Sequence, residues 1–504
     1  MSNKKVNRRD FLRMGALTAA GTALVSCAPA DPQIVRETVV VDREVEVLVP
    51  GEDVQVIVEQ TVIVEAEAPP EEAQNVIIFV GFGTGTAAEQ IEIHGGIADE
   101  YNAQSDFHTV EFLTVPHEER LSKFSTMLAA DMPPDVCMPI GIAGIASFFD
   151  AWADVSPYID RDQYDMSRFF GPTVDLHSYP GKGQLGLPVG IFPSVIFYNA
   201  DIFDAAGVEY PPHVVGEAYA DGDAWTYGKL AEVSKLLTID SAGNDADSPA
   251  FSWEDTVQWG WNGWDWWGWG APAPKFGGNA RGVSDDYKTA IVNEPGWVEA
   301  WEFDKAARFD LHIRATGEQG GAFYDVAGDP MGSGMVGMWE CYSWMQFAYA
   351  GWTEAFYWDV AAVPTAEGHD PVASMHADTF TMVQAAHHKD AAWEVMKWMF
   401  NPDILMRLCN NWGGIPADAE LAATWVDVQK ETYPDVDFGV FLDTADYPDV
   451  PNHESWKPRY DEVNTAIASQ LDLMAAGENL NVQELLDAAN VEVQTLLDAY
   501  WETM

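Results

Sequence analysis

The chain of 504 residues is long enough for two or three domains, and its 47% hydrophobic content supplies a sizeable core, which excludes global disorder. A formal net charge of −54, from 80 acidic against 26 basic residues, excludes nucleic acid as a natural partner and disfavours anionic solutes that rely on long-range steering. Such an excess of acid suggests a surface adapted to high salt, where screening softens self-repulsion.

The first 27 residues read as an export signal. Lys4, Lys5, Arg8, Arg9 and Arg13 form a basic start, Gly15 to Val25 is a short run of small and apolar residues, and Leu24-Val25-Ser26-Cys27 fits a lipoprotein cleavage site. Asn7-Arg8-Arg9-Asp10-Phe11-Leu12-Arg13 also fits the twin-arginine pattern, and the apolar run is too short to span a bilayer permanently. The expectation is an exported chain, lipidated at Cys27 and held at the outer face of the cytoplasmic membrane. Residues 28–74 are rich in Val and Glu and broken by prolines. Val45-Glu46-Val47-Leu48-Val49 and Val54-Gln55-Val56-Ile57-Val58 read as two strands around a turn. A hairpin with nothing to pack on is marginal, so the zone reads as a tether, with a small docking module as the alternative.

From Asn75 the pattern is α/β. Val76-Ile77-Ile78-Phe79-Val80 reads as a buried strand, Thr86 to Gln104 as a helix, Val110 to Val115 as a strand, 118–130 as a helix and Val136-Cys137-Met138 as a strand. This alternation predicts a mostly parallel sheet covered on both faces, which binds ligands at the carboxyl ends of its strands. Gly83-Thr84-Gly85-Thr86-Ala87-Ala88 sits between strand and helix and matches a dinucleotide fingerprint in outline, which keeps an exported NAD-dependent oxidoreductase open as an alternative. Asp240 to Asp247 is acidic and turn-rich but lacks EF-hand spacing, so it reads as a solvated loop; His387-His388 precedes a helix and reads as exposed. Cys137, Cys341 and Cys409 are far apart with no metal-ligand spacing and read as buried thiols, one disulfide remaining open. Neither a cofactor nor a metal is expected. No His-Glu-x-x-His, Gly-x-Ser-x-Gly or Walker pattern points to an enzyme. Trp259, Trp261, Trp264, Trp266, Trp267 and Trp269 crowd one short stretch, more than core packing readily explains.

Leu185-Gly186-Leu187-Pro188-Val189 leads into Val195-Ile196-Phe197-Tyr198-Asn199-Ala200-Asp201-Ile202-Phe203-Asp204-Ala205-Ala206-Gly207, followed by Pro211-Pro212, Trp225-Thr226 and Leu237-Thr238. Upstream stands Ala129-Ala130-Asp131-Met132-Pro133-Pro134-Asp135-Val136; downstream come Gly337-Met338-Trp339, Val363-Pro364 and Gly413-Gly414-Ile415-Pro416. The order of these motifs resembles the family 1 extracellular solute-binding proteins, the maltose-binding-like receptors of ABC importers, over roughly residues 75–504. Asp131 stands where the family pattern has Gly, and the Trp-rich stretch within residues 245–285 is an insertion.

The resemblance implies a two-lobed type II periplasmic-binding-protein fold with a hinge. One lobe comprises 75–190 and 378–452, the other 191–377 and 453–504. Crossovers are expected near Val189 to Ser194, Met375 to Phe380 and Pro451 to Trp456. It implies a monomeric, non-enzymatic receptor that captures a mono- or oligosaccharide by hinge closure and delivers it to ABC permease subunits. A polyol, a glycerol phosphate ester or a cationic compound is the alternative solute. Aromatic faces cover the apolar face of a sugar while polar groups bond its hydroxyls. On that logic the ligand-binding candidates are Trp339, Phe82, Thr84, Phe192, His376, Asp378, Trp412, Trp264 and Trp266. Tyr198, Asn199, Phe203, Pro188 and Asp135 read as structural.

Overall fold

Runs of β-branched and aromatic residues bounded by glycine or proline build the strands. In the structure, a computed structural model that describes residues 74–83, 85–264 and 268–504, Val76, Ile78, Phe79 and Val80 are fully buried in strand β1 (Gln74–Val80). The export signal with Cys27, the tether up to residue 73, Thr84 and Trp266 lie outside the described residues. Strands β2 (His108–Thr114) and β3 (Val136–Gly141) flank β1 and run parallel to it. Helices α1 (Ala88–Gln104) and α2 (Arg120–Ala129) make the crossovers, as the alternating pattern requires.

Two positions show why the chain folds this way locally. Asp131 follows α2 with φ +56, a left-handed conformation that glycine adopts at no steric cost, so the family pattern has glycine there. Asp135, buried, accepts the amide of Ile77 at 3.0 Å and that of His388 at 3.2 Å, tying β1 to the segment behind the sheet.

The longer strands that follow, and the short β9, are β4 (Leu187–Asn199), β5 (Thr256–Gly263), β6 (Val336–Tyr342), β7 (Trp358–Ala361), β8 (Met375–Met382) and β9 (Ile415–Pro416). All 13 residues of β4 are buried. Its first half pairs antiparallel with β8, which returns to pair with β3; its second half pairs with β6 and β7. The sheet order is β2-β1-β3-β8-β4-β6-β5, with Ile239–Asp240 at the far edge and β7 and β9 also paired to β4. Thus β4 runs from one set of strands into the other. The helix Pro295–Lys305 packs with α5 (Tyr460–Ala475) and α6 (Val482–Trp501) around Trp297, Val463 and Leu486, whereas α3 (Gln346–Ala355) and α4 (Pro402–Trp412) cover the sheet elsewhere.

Cys137, Cys341 and Cys409 are buried and take part in no disulfide among the described residues. Asp240 accepts the amides of Ala242 and Asn244 at 2.9 Å and of Ser252 at 3.0 Å, so its carboxylate organises the turn through backbone donors. Among the described residues no helix is long and apolar enough to cross a membrane.

Candidate functional site

The carboxyl ends of β1, β3 and β6 meet the middle of β4 and the start of β8, the place where an α/β sheet presents its ligand-binding groups. Asp378 lies at the centre of this junction. Its strand neighbours are Gly141 on β3 and Gly190 on β4, so neither side carries a side chain beside it. A Cβ on Gly141 would stand 3.2 Å from Asp378 Oδ1, and one on Gly83 3.4 Å from Oδ2, so the glycines leave room for the carboxylate. Enclosure, and secondarily the charge of Glu454, push the Asp378 carboxyl up to about 7 although it keeps partial contact with solvent.

An aromatic group adjoins it. Phe192 stands opposite His376 across the β4–β8 pair. The ring of Trp344, half-buried just beyond β6, lies 6.1 Å from Phe192, 4.3 Å from Tyr342 and 4.8 Å from His376. Phe192 is only 5% exposed, wedged against Gly414, while Trp344, His376 and Asp378 keep partial exposure.

The segment 449–456 closes the group from behind. Asp449, fully buried, accepts the Met375 amide at 2.8 Å, Asn452 Nδ2 at 3.0 Å and the His453 amide at 2.8 Å, and meets His453 Nδ1 at 2.7 Å. Asn452 Nδ2 also donates to the Met375 carbonyl at 2.7 Å. Glu454 pairs with His376 Nδ1 at 2.8 Å. Burial alone would lower the His453 pKa, but the charge and hydrogen bond of Asp449 outweigh it and the net shift is upward. For Glu454 burial acts upward and the charges of His376 and His453 win, so its pKa falls below the usual range.

The structure thus brings together Phe192, His376 and Asp378 of the sequence candidates. Phe82 keeps partial exposure beside Gly83 but is held edge-on by Phe124, Phe148 and Trp152. Three candidates sit elsewhere than expected. Trp339 is fully buried in mid-strand against Phe197 and Trp352, on the face of β6 that α3 covers. Trp412 is 4% exposed, packs on Phe380, and donates its indole N–H to His94 Nε2 at 3.0 Å. Trp264 is buried among Trp261, Phe303 and Tyr227 and donates to Glu340 at 3.0 Å. All three rings are engaged in packing in this structure, apart from the group around Asp378. The Gly83–Ala88 loop is likewise committed: Gln90 Oε1 accepts the amides of Gly85 and Ala87 at 3.0 and 3.2 Å, donors a pyrophosphate would need.

Sequence reasoning missed Trp344, His453, Glu454 and Asp449. For Trp344 the signal was available, since it follows the carboxyl end of a strand whereas Trp339 lies inside it. A cavity of about 240 Å³ near Asn262, Thr316 and Tyr324 lies away from this junction, so size alone does not mark the site.

The family profile for bacterial extracellular solute-binding proteins matches residues 96–436, and the chain belongs to that family. A binding protein of Brucella abortus (strain 2308) is 22% identical over 330 residues, 64% of this chain and 72% of that protein. Among solved structures, an ABC substrate-binding protein of Listeria monocytogenes in complex with cycloalternan superposes with a TM-score of 0.65 at 18% identity, over 85% of this chain and 100% of that one. The cyclic alpha-maltosyl-1,6-maltose binding protein of Arthrobacter globiformis gives 0.65 at 19%, over 84% and 99%. The GacH receptor of Streptomyces glaucescens, solved unliganded and with acarbose, gives 0.62 at 18%, over 85% and 100%. The fold is that of these two-lobed binding proteins.

Proposed function

We propose that this chain is the receptor of an ABC importer that captures a mono- or oligosaccharide and hands it to permease subunits without chemical change. The lobes comprise 75–190 with 378–452, and 191–377 with 453–504, and the solute lies between them. The observation that carries the reading is the junction itself: half-buried Trp344 and His376 stand beside Asp378 and Glu454, an aromatic face next to carboxylate acceptors. That combination suits a pyranose, whose apolar face packs on a ring while its hydroxyls donate to oxygen. Sugars bound by several structural relatives support the same class. Export through the twin-arginine signal and lipidation at Cys27 place the receptor, as a monomer, at the outer face of the membrane.

The test is a thermal-shift screen in high salt against sugars, polyols, glycerol phosphate, amino acids, cationic solutes and NAD(H). A ligand at a hundred times its Kd adds about 2.7 kcal/mol to stability. A response confined to sugars, lost in Trp344→Ala, is expected. A response to another solute alone replaces the sugar; one to NAD(H) alone sinks the receptor reading. For the anchor, Cys27→Ser is expected to release the chain from membranes, and unchanged membrane retention would refute lipidation there.

A further inference from the structure

His376, His453 and Glu454 each offer one ligand-competent atom, and these atoms all lie within 4.8 Å of one another. His376 comes from the start of β8 and the other two from the segment after Val450, so only the fold brings them together.

We propose that these three residues form a site for a divalent transition metal of the zinc class, clamping the second crossover to the third. Two imidazoles and one carboxylate are a donor set such ions take readily, with a further position left open. His376 Nδ1 and Glu454 Oε2 stand 2.8 Å apart. Two ligand atoms about 2.0–2.2 Å from one tetrahedral ion stand about 3.4 Å apart, so the pair admits a metal by opening about half an ångström as its shared proton leaves.

His453 supplies the independent observation. Its side chain is 1% exposed, and Nδ1 is engaged by Asp449 at 2.7 Å. Its Nε2 is buried and has no hydrogen-bond partner among the described residues. A buried imidazole nitrogen left without a partner is costly unless something else satisfies it. An imidazole fixed at one nitrogen by a carboxylate, with the other free, is the arrangement that orients a metal-bound histidine. Asp449 is a positioning residue here, itself held by the amides of Met375 and His453 and by Asn452. A cavity of about 100 Å³ bordered by His453, Glu454, Trp269, Tyr460 and Asn464 gives room at the open position for a water or a solute oxygen. The inference does not rest on the solute being a sugar.

The full chain, stripped with a chelator, would be titrated with Zn²⁺ against a chromophoric competitor, and with Co²⁺ followed by visible absorption. The expected result is one tightly bound Zn²⁺ per chain and Co²⁺ bands of a nitrogen-and-oxygen site. His376→Gln and Glu454→Gln should each remove that tight site, leaving only the weak binding of the acidic surface. Asp449→Asn should weaken it by about 10–100-fold while keeping the Co²⁺ bands. Glu454→Gln is nearly isosteric, so it decides the matter if His376→Gln fails to fold. Equal Zn²⁺ affinity in the unaltered chain and a folded Glu454→Gln variant would overturn the site.

Discussion

Two buried glutamates, Glu340 and Glu454, show how differently one residue type is used in this fold. Glu340 is fully buried and answered on every side: Lys275 Nζ at 3.0 Å, the Tyr227 hydroxyl donating at 3.1 Å and the Trp264 indole N–H at 3.0 Å. Glu454, 17% exposed, meets His376 at 2.8 Å, beside His453, whose Nε2 has no partner among the described residues. A completed network holds a fold; an incomplete one at a junction between segments is where a ligand gains something from binding. Trp261 and Trp264 of the Trp-rich stretch belong to the first kind, since their rings surround the Glu340 network.

The largest test of that contrast is Glu340→Ala. It strands Lys275, 1% exposed, without its carboxylate, and breaking a buried pair costs about 3–5 kcal/mol. Denaturant unfolding should show that loss with solute affinity unchanged in the folded fraction; a loss below about 1 kcal/mol would refute the structural reading. Trp339→Ala should cost a similar 3–5 kcal/mol through the cavity it leaves. Trp344→Ala should do the reverse, with a small effect on stability and at least a tenfold loss of solute affinity. If the two variants exchange phenotypes, the site is misplaced.

A smaller effect separates the two buried lysines. Lys457 is as buried as Lys275, but among the described residues its ammonium meets the Arg281 carbonyl at 2.8 Å and the Tyr460 ring at 5.6 Å rather than a carboxylate. Burial, and then the Arg281 charge, push its pKa down to about 7 from the usual 10.5. Between those values the unfolded chain binds a proton that the folded chain does not, so stability rises as pH climbs from about 7 toward 10.5 and is lost on returning to 7. Lys457→Met should flatten that rise and melt higher than the unaltered chain at pH 7. An unchanged slope of melting temperature against pH would show that Lys457 does not cause it.

The parallel β1–β2–β3 unit and its two crossovers could be read directly, because each apolar run is bounded by turn residues and separated by helical spacing. The crossover strand β4 followed from the motif order around Asn199, whose side chain accepts the Ile202 amide at 3.2 Å and starts the next helix. The site was legible only in part. Strand β6 is buried on both faces, so alternation carries no information about which tryptophan faces a solute. Position relative to the strand end carries it instead, and selects Trp344. His376 and His453 meet through Asp449 holding the Met375 amide, a long-range bond that no spacing in the chain encodes.

Salt should separate the buried charges from the surface ones with the smallest effect of all on any single residue. Lys229 Nζ lies 3.0 Å from Asp221, 2.7 Å from Asp223 and 2.7 Å from Glu232, all three carboxylates about half or more exposed. Water competes for such a group, so Lys229→Ala should shift the melting temperature by about 2 °C or less, and by less still in strong salt. The Debye length falls from about 10 Å at 0.1 M to about 3 Å at 1 M, which screens repulsion among distant surface carboxylates far more than any contact inside the fold. The net charge of −54 therefore predicts a melting temperature that rises with salt. The loss caused by Glu340→Ala should stay the same at both salt concentrations, because no ion reaches a carboxylate with no exposed surface. A Glu340→Ala loss that shrinks with salt as the Lys229→Ala shift does would mean that solvent enters the Glu340 network, and that its completeness is not what distinguishes it from the junction around Glu454.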